Sequence, residues 1–159
     1  MKTYVGIDNG VHAGIGIIKD IGDQFIYNYI QMPVKKVLNY QVASKLINRV
    51  DFKTLVEILR AIDKPAMVAI ERPFVNPKFI NTSLLAVRTL EATVIACEVN
   101  ELPYQFIDSK KWQSKLLPGI KGSKNLKVAS ASLGERQFPN AWGMIKTIGD
   151  ADGILIAEH

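Results

Sequence analysis

The stretch TYVGIDNGVHAGIGII, residues 3–18, decides the fold. Two apolar, β-branched runs flank a short polar turn, which is typical of a β-hairpin because Asn and Gly tolerate the backbone angles of such a turn. Asp8 stands where the first run ends. It is either a turn residue that bonds to nearby amides or an acid placed at a strand end for chemistry, and this stretch alone favours the turn residue.

The length and composition indicate a single folded domain over residues 1–159. Apolar residues make up 48% of the chain, which is enough for a globular core. We find no apolar run of the roughly 18 residues that span a bilayer and no signal-peptide pattern, so we expect a cytoplasmic protein without a membrane partner. Cys97 lies in an apolar helical pattern and is expected to be an inert core residue. Without a Cys/His cluster, a zinc site is not predicted.

The periodicity of the sequence predicts an α/β domain around a mixed sheet. The first three strands should form an antiparallel meander, and the continuously apolar fourth strand should be buried and parallel. Asp51 should cap the helix that follows it, and Pro65 should end that helix. The predicted elements are strands at 3–8, 13–19 and 24–30, a helical tendency at 41–47, a helix at 51–62, a strand at 66–70, a helix at 81–100, a strand at 104–107, helices at 109–117 and 123–136, and a last helix opening at Gly149 or Asp150.

Three acids stand at element ends. Glu71 closes the fourth predicted strand, and Asp152 opens the last helix. Each has an ordinary explanation as a surface or capping residue. If the strands ending at Asp8 and Glu71 are adjacent and parallel, however, their ends converge and the last helix can place Asp152 beside them. Such carboxylates require a cation, and their hard oxygens suit Mg²⁺ or Mn²⁺. Two ions about 3.5–4 Å apart can hydrolyse a phosphodiester.

The charge distribution favours an anionic partner. The net charge is +5, and residues 109–127 contain six lysines and no acid. With Trp112 among them, these lysines form either a phosphate-contacting surface or merely a soluble basic one. They are Lys110, Lys111, Lys115, Lys121, Lys124 and Lys127.

Four segments in order resemble the RuvC-like Holliday junction resolvases, especially the compact phage-type members within the ribonuclease H-like superfamily. They are VGIDNGVHAGIGII, MVAIERP, FIDSKKWQSKLLPGIKGSKNLKVASASLGERQFP and GDADGILIAEH. The resemblance implies a ribonuclease H-like fold, with a five-stranded mixed sheet flanked by helices. It also implies a metal-dependent endonuclease that resolves four-way DNA junctions by paired symmetric nicks, with two Mg²⁺ ions for which Mn²⁺ substitutes.

The resemblance also implies roles for individual residues. Asp8, Glu71 and Asp152 correspond to metal ligands, and Lys124, with Lys121 as the fallback, corresponds to the lysine that stabilises the transition-state phosphate. The family usually has a fourth ligand about one turn before the last Asp, where this chain has Gly149. The candidates there are Asp150, Thr147 and water. Two residues before Asp152, Asp150 would face the wrong way on a regular helix, but it could serve if the helix starts only after it.

The resemblance further implies a homodimer that presents two sites to a twofold-symmetric junction. The helix at 81–100 corresponds to the dimer element, although its apolar residues could equally be core. Phe74 and Phe79 bracket the loop after Glu71 and could stack on unpaired bases. We expect at least one of the two to pack the loop against the core instead.

Two other functions compete with the nuclease. The missing ligand at Gly149 leaves open a non-catalytic branched-DNA-binding relative on the same fold. The first hairpin also resembles the phosphate hairpin of actin-like ATPases. The chain is too short for their nucleotide lobe and lacks their second phosphate loop, so we expect no nucleotide cofactor.

Overall fold

The structure, a computed structural model, describes residues 1–39, 42 and 44–159. Its strands are β1 (Lys2–Ile7), β2 (Gly14–Asp20), β3 (Phe25–Gln31), β4 (Val34–Leu38), β5 (Leu46–Val50), β6 (Ala66–Glu71) and β7 (Tyr104–Ile107). Its helices are α1 (Phe52–Arg60), α2 (Ile80–Val99), α3 (Ser109–Leu116), α4 (Ser123–Gln137), α5 (Trp142–Ile148) and α6 (Asp152–Glu158). Single 3₁₀ turns lie at Pro77–Phe79 and Pro139–Ala141.

Five strands form one mixed sheet in the order β3-β2-β1-β6-β7. The first three are an antiparallel meander, and Val5 of β1 pairs with Ile17 of β2. On its other side β1 runs parallel to β6, and β6 runs parallel to β7. The predicted meander and the predicted parallel strand are therefore confirmed. Because β1, β6 and β7 are parallel, their last residues, Ile7, Glu71 and Ile107, lie at one edge of the sheet, here named the carboxyl edge.

Two apolar cores cover the two faces of this sheet. Side chains such as Val5, Ile7 and Ile70 pack on one face with residues of α1 and α2. Cys97 of α2 is fully buried in that core, as predicted. The other face is covered by the helices that follow β7, with Trp112 at its centre. The layered α/β arrangement that the sequence predicts is confirmed.

Helix α6 lies directly on the main chain of β1 and β2. A Cβ atom at Gly6 would overlap backbone atoms of Gly153 and Ala157, and one at Gly16 would overlap Ile154. A Cβ at Gly153 would in turn overlap the carbonyl of Gly14. Only glycine permits this approach, which brings the first residue of α6 to the carboxyl edge.

The predicted helix at 41–47 is wrong for the residues that the structure describes. Val34–Leu38 and Leu46–Val50 form an antiparallel hairpin, in which Val34 pairs with Val50 and Leu38 with Leu46. Tyr40, Gln41 and Ala43 lie outside the described residues. Residues 35–50 are ambiguous in the sequence, and the pairing between β4 and β5 is a contact that no local window contains.

Other element bounds also differ from the prediction. Helix α1 ends at Arg60, so Pro65 does not terminate it, although Ile62 is buried in the core as expected. Helix α5 was not predicted. It ends at Gly149 in the left-handed conformation, with φ of 95°, and the last helix therefore begins at Asp152 rather than at Gly149 or Asp150.

The long helix α2 bears on the expectation about membrane spans. By length and composition the segment Pro77–Val99 is apolar enough to cross a membrane, and 22% of its apolar window is buried. This is weak evidence for a span, because core helices of soluble proteins pass the same test. The face of α2 that is buried carries small or hydroxyl side chains, namely Ser83, Thr89, Thr93, Ala96 and Cys97.

Candidate metal and nucleic-acid site

Three acids from opposite ends of the chain meet at the carboxyl edge. Asp8 follows β1 directly, and Asp150 and Asp152 flank the start of α6. One carboxylate oxygen from each lies within 4.8 Å of the others. The Asp8 N–H donates to the carbonyl of Gly14 at 3.2 Å, so Asp8 also closes the hairpin that its turn sequence predicts.

Asp150 sits in the non-helical link between α5 and α6. Its side chain is buried, and one carboxylate oxygen accepts a hydrogen bond from the N–H of Asp152 at 3.3 Å. The other accepts from Lys127 Nζ at 3.1 Å. Because α6 begins after Asp150, the condition under which this acid could join the cluster is met. Thr147 instead donates its hydroxyl to the carbonyl of Gly143 within α5.

Ser130 of α4 holds the start of α6. It is fully buried, donates its hydroxyl to Asp152 Oδ1 and accepts from the N–H of Ala151 at 3.0 Å. No local pattern in the sequence distinguishes Ser130 from the other serines of α4, so this role was not predicted.

Glu71 approaches the cluster from β6. Its charge is close enough to raise the pKa of Asp8, although Glu71 is not among the three acids that converge within 4.8 Å. Trp112 Nε1 donates to Glu71 Oε1 at 2.9 Å. Trp112 is fully buried, so it orients Glu71 from within the core and is not part of an exposed basic surface.

The negative charges of the clustered carboxylates are only partly offset by positive charge. Burial, followed by the nearby charges of Asp150 and Asp8, raises the pKa of Asp152 to about 7. Burial and then the charge of Glu71 raise the pKa of Asp8 well above its ordinary value, and burial also raises the pKa of Glu71. Converging carboxylates that resist ionisation are what a divalent cation relieves, and hard oxygens are the ligands that Mg²⁺ and Mn²⁺ prefer. The donor set therefore fits such an ion.

A buried phenol borders the same acids. Tyr29 of β3 is 3% exposed, and burial followed by the charge of Asp150 raises its pKa well above the ordinary value. Its ring occupies the space that a Cβ at Gly14 would fill. Tyr29 pairs with Gly16 across β2 and β3, and this pairing is not visible in the sequence alone.

The structure brings one of the six predicted lysines to the acids. All six are exposed, and Lys127 is the one that pairs with Asp150, which raises its pKa. Lys124 lies in the first turn of α4, and its role remains a prediction, as does that of Lys121 in the loop before it. Neither forms an ion pair with a residue in the described ranges.

Both loop phenylalanines are exposed. Phe74 is 81% and Phe79 64% exposed, so the expectation that at least one packs against the core is wrong. The loop is instead tied down by polar contacts, since the N–H of Asn76 donates to Ser83 Oγ at 2.8 Å.

Comparisons with known proteins find similar structures but no similar sequences. No family model matches the chain, and no curated protein matches it. The structure of Thermus thermophilus RuvC in complex with a Holliday junction substrate matches 99% of this chain and 90% of its own, with a TM-score of 0.58 and 17% identity. The chain has the fold of RuvC. A second structure of Thermus thermophilus RuvC matches 94% of this chain and 90% of its own, with a TM-score of 0.54 and 14% identity.

The RuvC comparison confirms the resemblance seen in the sequence at the level of the fold. The ribonuclease H-like, five-stranded mixed sheet flanked by helices is the predicted architecture. At 14–17% identity the match shows the fold alone, so the activity has to be argued from the site.

Proposed function

We propose that the protein is a metal-dependent, structure-selective endonuclease that resolves four-way DNA junctions by paired symmetric nicks. The observation that carries the proposal is the convergence of Asp8, Asp150 and Asp152 within 4.8 Å, on the fold of RuvC. Residues 1–159 act as one nuclease domain in the cytoplasm. Asp150 is the fourth ligand, in place of a residue one turn before Asp152.

The four acids near the carboxyl edge are the metal ligands in this proposal. Asp8, Glu71, Asp150 and Asp152 would hold Mg²⁺, with Mn²⁺ as a substitute and two ions per site. Bound there, such ions activate a water molecule and stabilise the leaving 3′ oxygen of a phosphodiester. Trp112 and Ser130 orient their partner carboxylates.

A lysine supplies the remaining positive charge at the reacting phosphate. The resemblance assigns this role to Lys124, whereas Lys127, nearly one turn later on α4, is the lysine that contacts the acids. Substitution of Lys124 and of Lys127 separately tests which lysine has this role. If Lys124 stabilises the transition state, Lys124→Ala lowers the cleavage rate more than the junction affinity. Lys127→Ala removes a cation that competes for Asp150, so it raises the affinity of the acids for metal.

The exposed lysines and loop phenylalanines form the DNA surface of the proposed enzyme. Lys110, Lys111 and Lys115 on α3 face solvent together with those near α4, as phosphate contacts require. Phe74 and Phe79 are free to stack on unpaired bases at the centre of a junction.

A homodimer through α2 would place two such sites on one junction. The outer side of α2 exposes large apolar side chains along its length, which is unusual for a surface helix. They are Ile80, Leu84, Val87, Ile95 and Val99. These side chains suit a symmetric interface with a second copy.

Cleavage of a labelled immobile four-way junction tests the proposal, with matched linear duplex as the control and Mg²⁺, Mn²⁺ or EDTA as the variable. Paired symmetric nicks that need metal and spare the duplex are expected. Asp8→Asn should abolish cutting while junction binding persists. Tight junction binding without cutting in either metal would instead identify a non-catalytic branched-DNA-binding protein. Cutting that persists in Asp8→Asn would refute the assigned site.

A further inference from the structure

The hairpin β4–β5 carries a second basic surface, separate from the lysines of α3 and α4. Residues 24–50 contain four cations and no acid, and all four cations are exposed. They are Lys35, Lys36, Lys45 and Arg49. No step in the proposed function uses them.

The arrangement of these cations is unfavourable without an anion. Lys35 and Arg49 are directly opposite each other on the two strands, and like charges in that position destabilise a sheet. Lys35 has one partner, Asp51, at 3.2 Å. Within the described ranges, Lys36, Lys45 and Arg49 have no ion pair. A polyanion that binds the hairpin would remove this repulsion.

The base of the hairpin is fixed beside the candidate site. The end of β3, Gln31, pairs with Gly14, whose carbonyl accepts the Asp8 N–H. Directly after β3, the N–H of Met32 donates to the carbonyl of Ala13 at 2.8 Å. The hairpin therefore projects from the same end of the sheet as the acids.

Two cavities beside α2 lie between the hairpin and the acids. A cavity of about 380 Å³ between β5 and α2 is lined by Arg49, Leu85 and Thr89. A second, of about 280 Å³, is lined by Asp8 and Lys127 and shares Leu85 and Thr89 with the first. Arg49 and Asp8 thus line neighbouring cavities on the same side of α2.

From these observations we propose that β4–β5 binds the phosphate backbone of a duplex arm that extends away from the cleaved phosphate. The inference rests on the proposed function and adds a contact outside the active site. Duplex DNA is favoured over single strands because the two strands carry no aromatic side chain on which an unpaired base could stack.

The test compares two triple variants that lose the same charge, both in the Asp8→Asn background so that bound DNA stays intact. K36Q/K45Q/R49Q neutralises the hairpin. K2Q/R60Q/K64Q neutralises three exposed cations near the opposite end of the sheet. Binding to a four-way junction is measured between about 50 and 200 mM salt, where each lost phosphate contact flattens the log–log salt dependence by about 0.9.

The hairpin variant should bind the junction about tenfold or more weakly, with a flatter salt dependence and a lost hydroxyl-radical footprint on one arm. The control should stay within about twofold, and K36R/K45R/R49K should retain binding because it keeps the charges. Equal binding by the two triple variants would overturn the proposal. So would a shift from dimer to monomer in sedimentation for the hairpin variant, since the hairpin would then face a second copy.

These outcomes are independent of the nuclease proposal. If wild-type protein binds junctions but does not cut them, the nuclease assignment fails while the comparison of hairpin variants still stands. If wild-type protein cuts junctions and the hairpin variant binds like the control, the hairpin proposal alone fails.

Discussion

Replacing Asp152 with Asn should stabilise the metal-free protein at alkaline pH. The pKa of Asp152 is raised from 3.8 to about 7 in the folded state. An acid with a raised folded pKa keeps its proton in the native state while the unfolded chain has lost it. The free energy of unfolding therefore falls as pH rises from the unfolded pKa to the folded one, and is level above it. At about 1.4 kcal/mol per pH unit, this one carboxyl removes about 3 kcal/mol between pH 5 and pH 8.

Urea denaturation of wild-type protein and Asp152→Asn in EDTA, across this pH range, measures the effect. The difference between the two proteins reports the titration of Asp152 together with its effect on the pKa of Glu71, while the histidines are common to both. The free energy of unfolding of Asp152→Asn should gain about 3 kcal/mol relative to that of the wild-type protein between pH 5 and pH 8. Mg²⁺ at about 100 times its dissociation constant should restore about 2.7 kcal/mol to wild-type protein and less to the variant. A difference that stays constant with pH would refute the idea that the carboxylates crowd one another.

Further substitutions test the contacts around the site. Trp112→Phe should lower Mg²⁺ affinity by about 10–100-fold in calorimetric titration, since Glu71 loses its donor, and unchanged affinity would contradict that role. Ser130→Ala should lower the free energy of unfolding by about 1–3 kcal/mol, because the Ala151 N–H is left buried without an acceptor. Gly16→Ala should destabilise the fold by about 3 kcal/mol or more. Gly143→Ala, which meets no atom within 4 Å, is its control and should stabilise α5 by about 0.5–1 kcal/mol.

The sequence predicted those parts of the fold that depend on local patterns. The five strands of the main sheet follow from alternating or continuous apolar runs between turn residues. The end of each run is visible in such a pattern, so it places Glu71 at the end of β6 and Asp8 directly after β1. Gly149 was a usable signal that went unused. A glycine after an apolar helical turn commonly ends a helix, which would have moved the start of α6 to Asp152 and placed Asp150 outside it.

What the sequence could not predict depends on contacts between distant segments. The hairpin β4–β5 exists through the pairing of its two strands, and the spacing of its apolar residues suits a helix equally well. The contacts of Ser130 with Asp152 and of Trp112 with Glu71 arise only when α3 and α4 pack over the sheet. Lys127 was grouped with the DNA-binding lysines, because its pairing with Asp150 requires the same packing.

The glycine contacts between α6 and the first two strands would restrict which metal ions fit the proposed site. Since main chain rests on main chain at Gly6, Gly16 and Gly153, no layer of side chains can shift to move Asp152 relative to Asp8. An ion with longer ligand distances, such as Ca²⁺ at about 2.3–2.6 Å against about 2.0–2.1 Å for Mg²⁺, has to be accommodated by rotation of the carboxylates alone. In the proposed site, this rigid backbone would therefore favour metal ions of one radius. Side-chain substitutions elsewhere in the protein would change that preference very little.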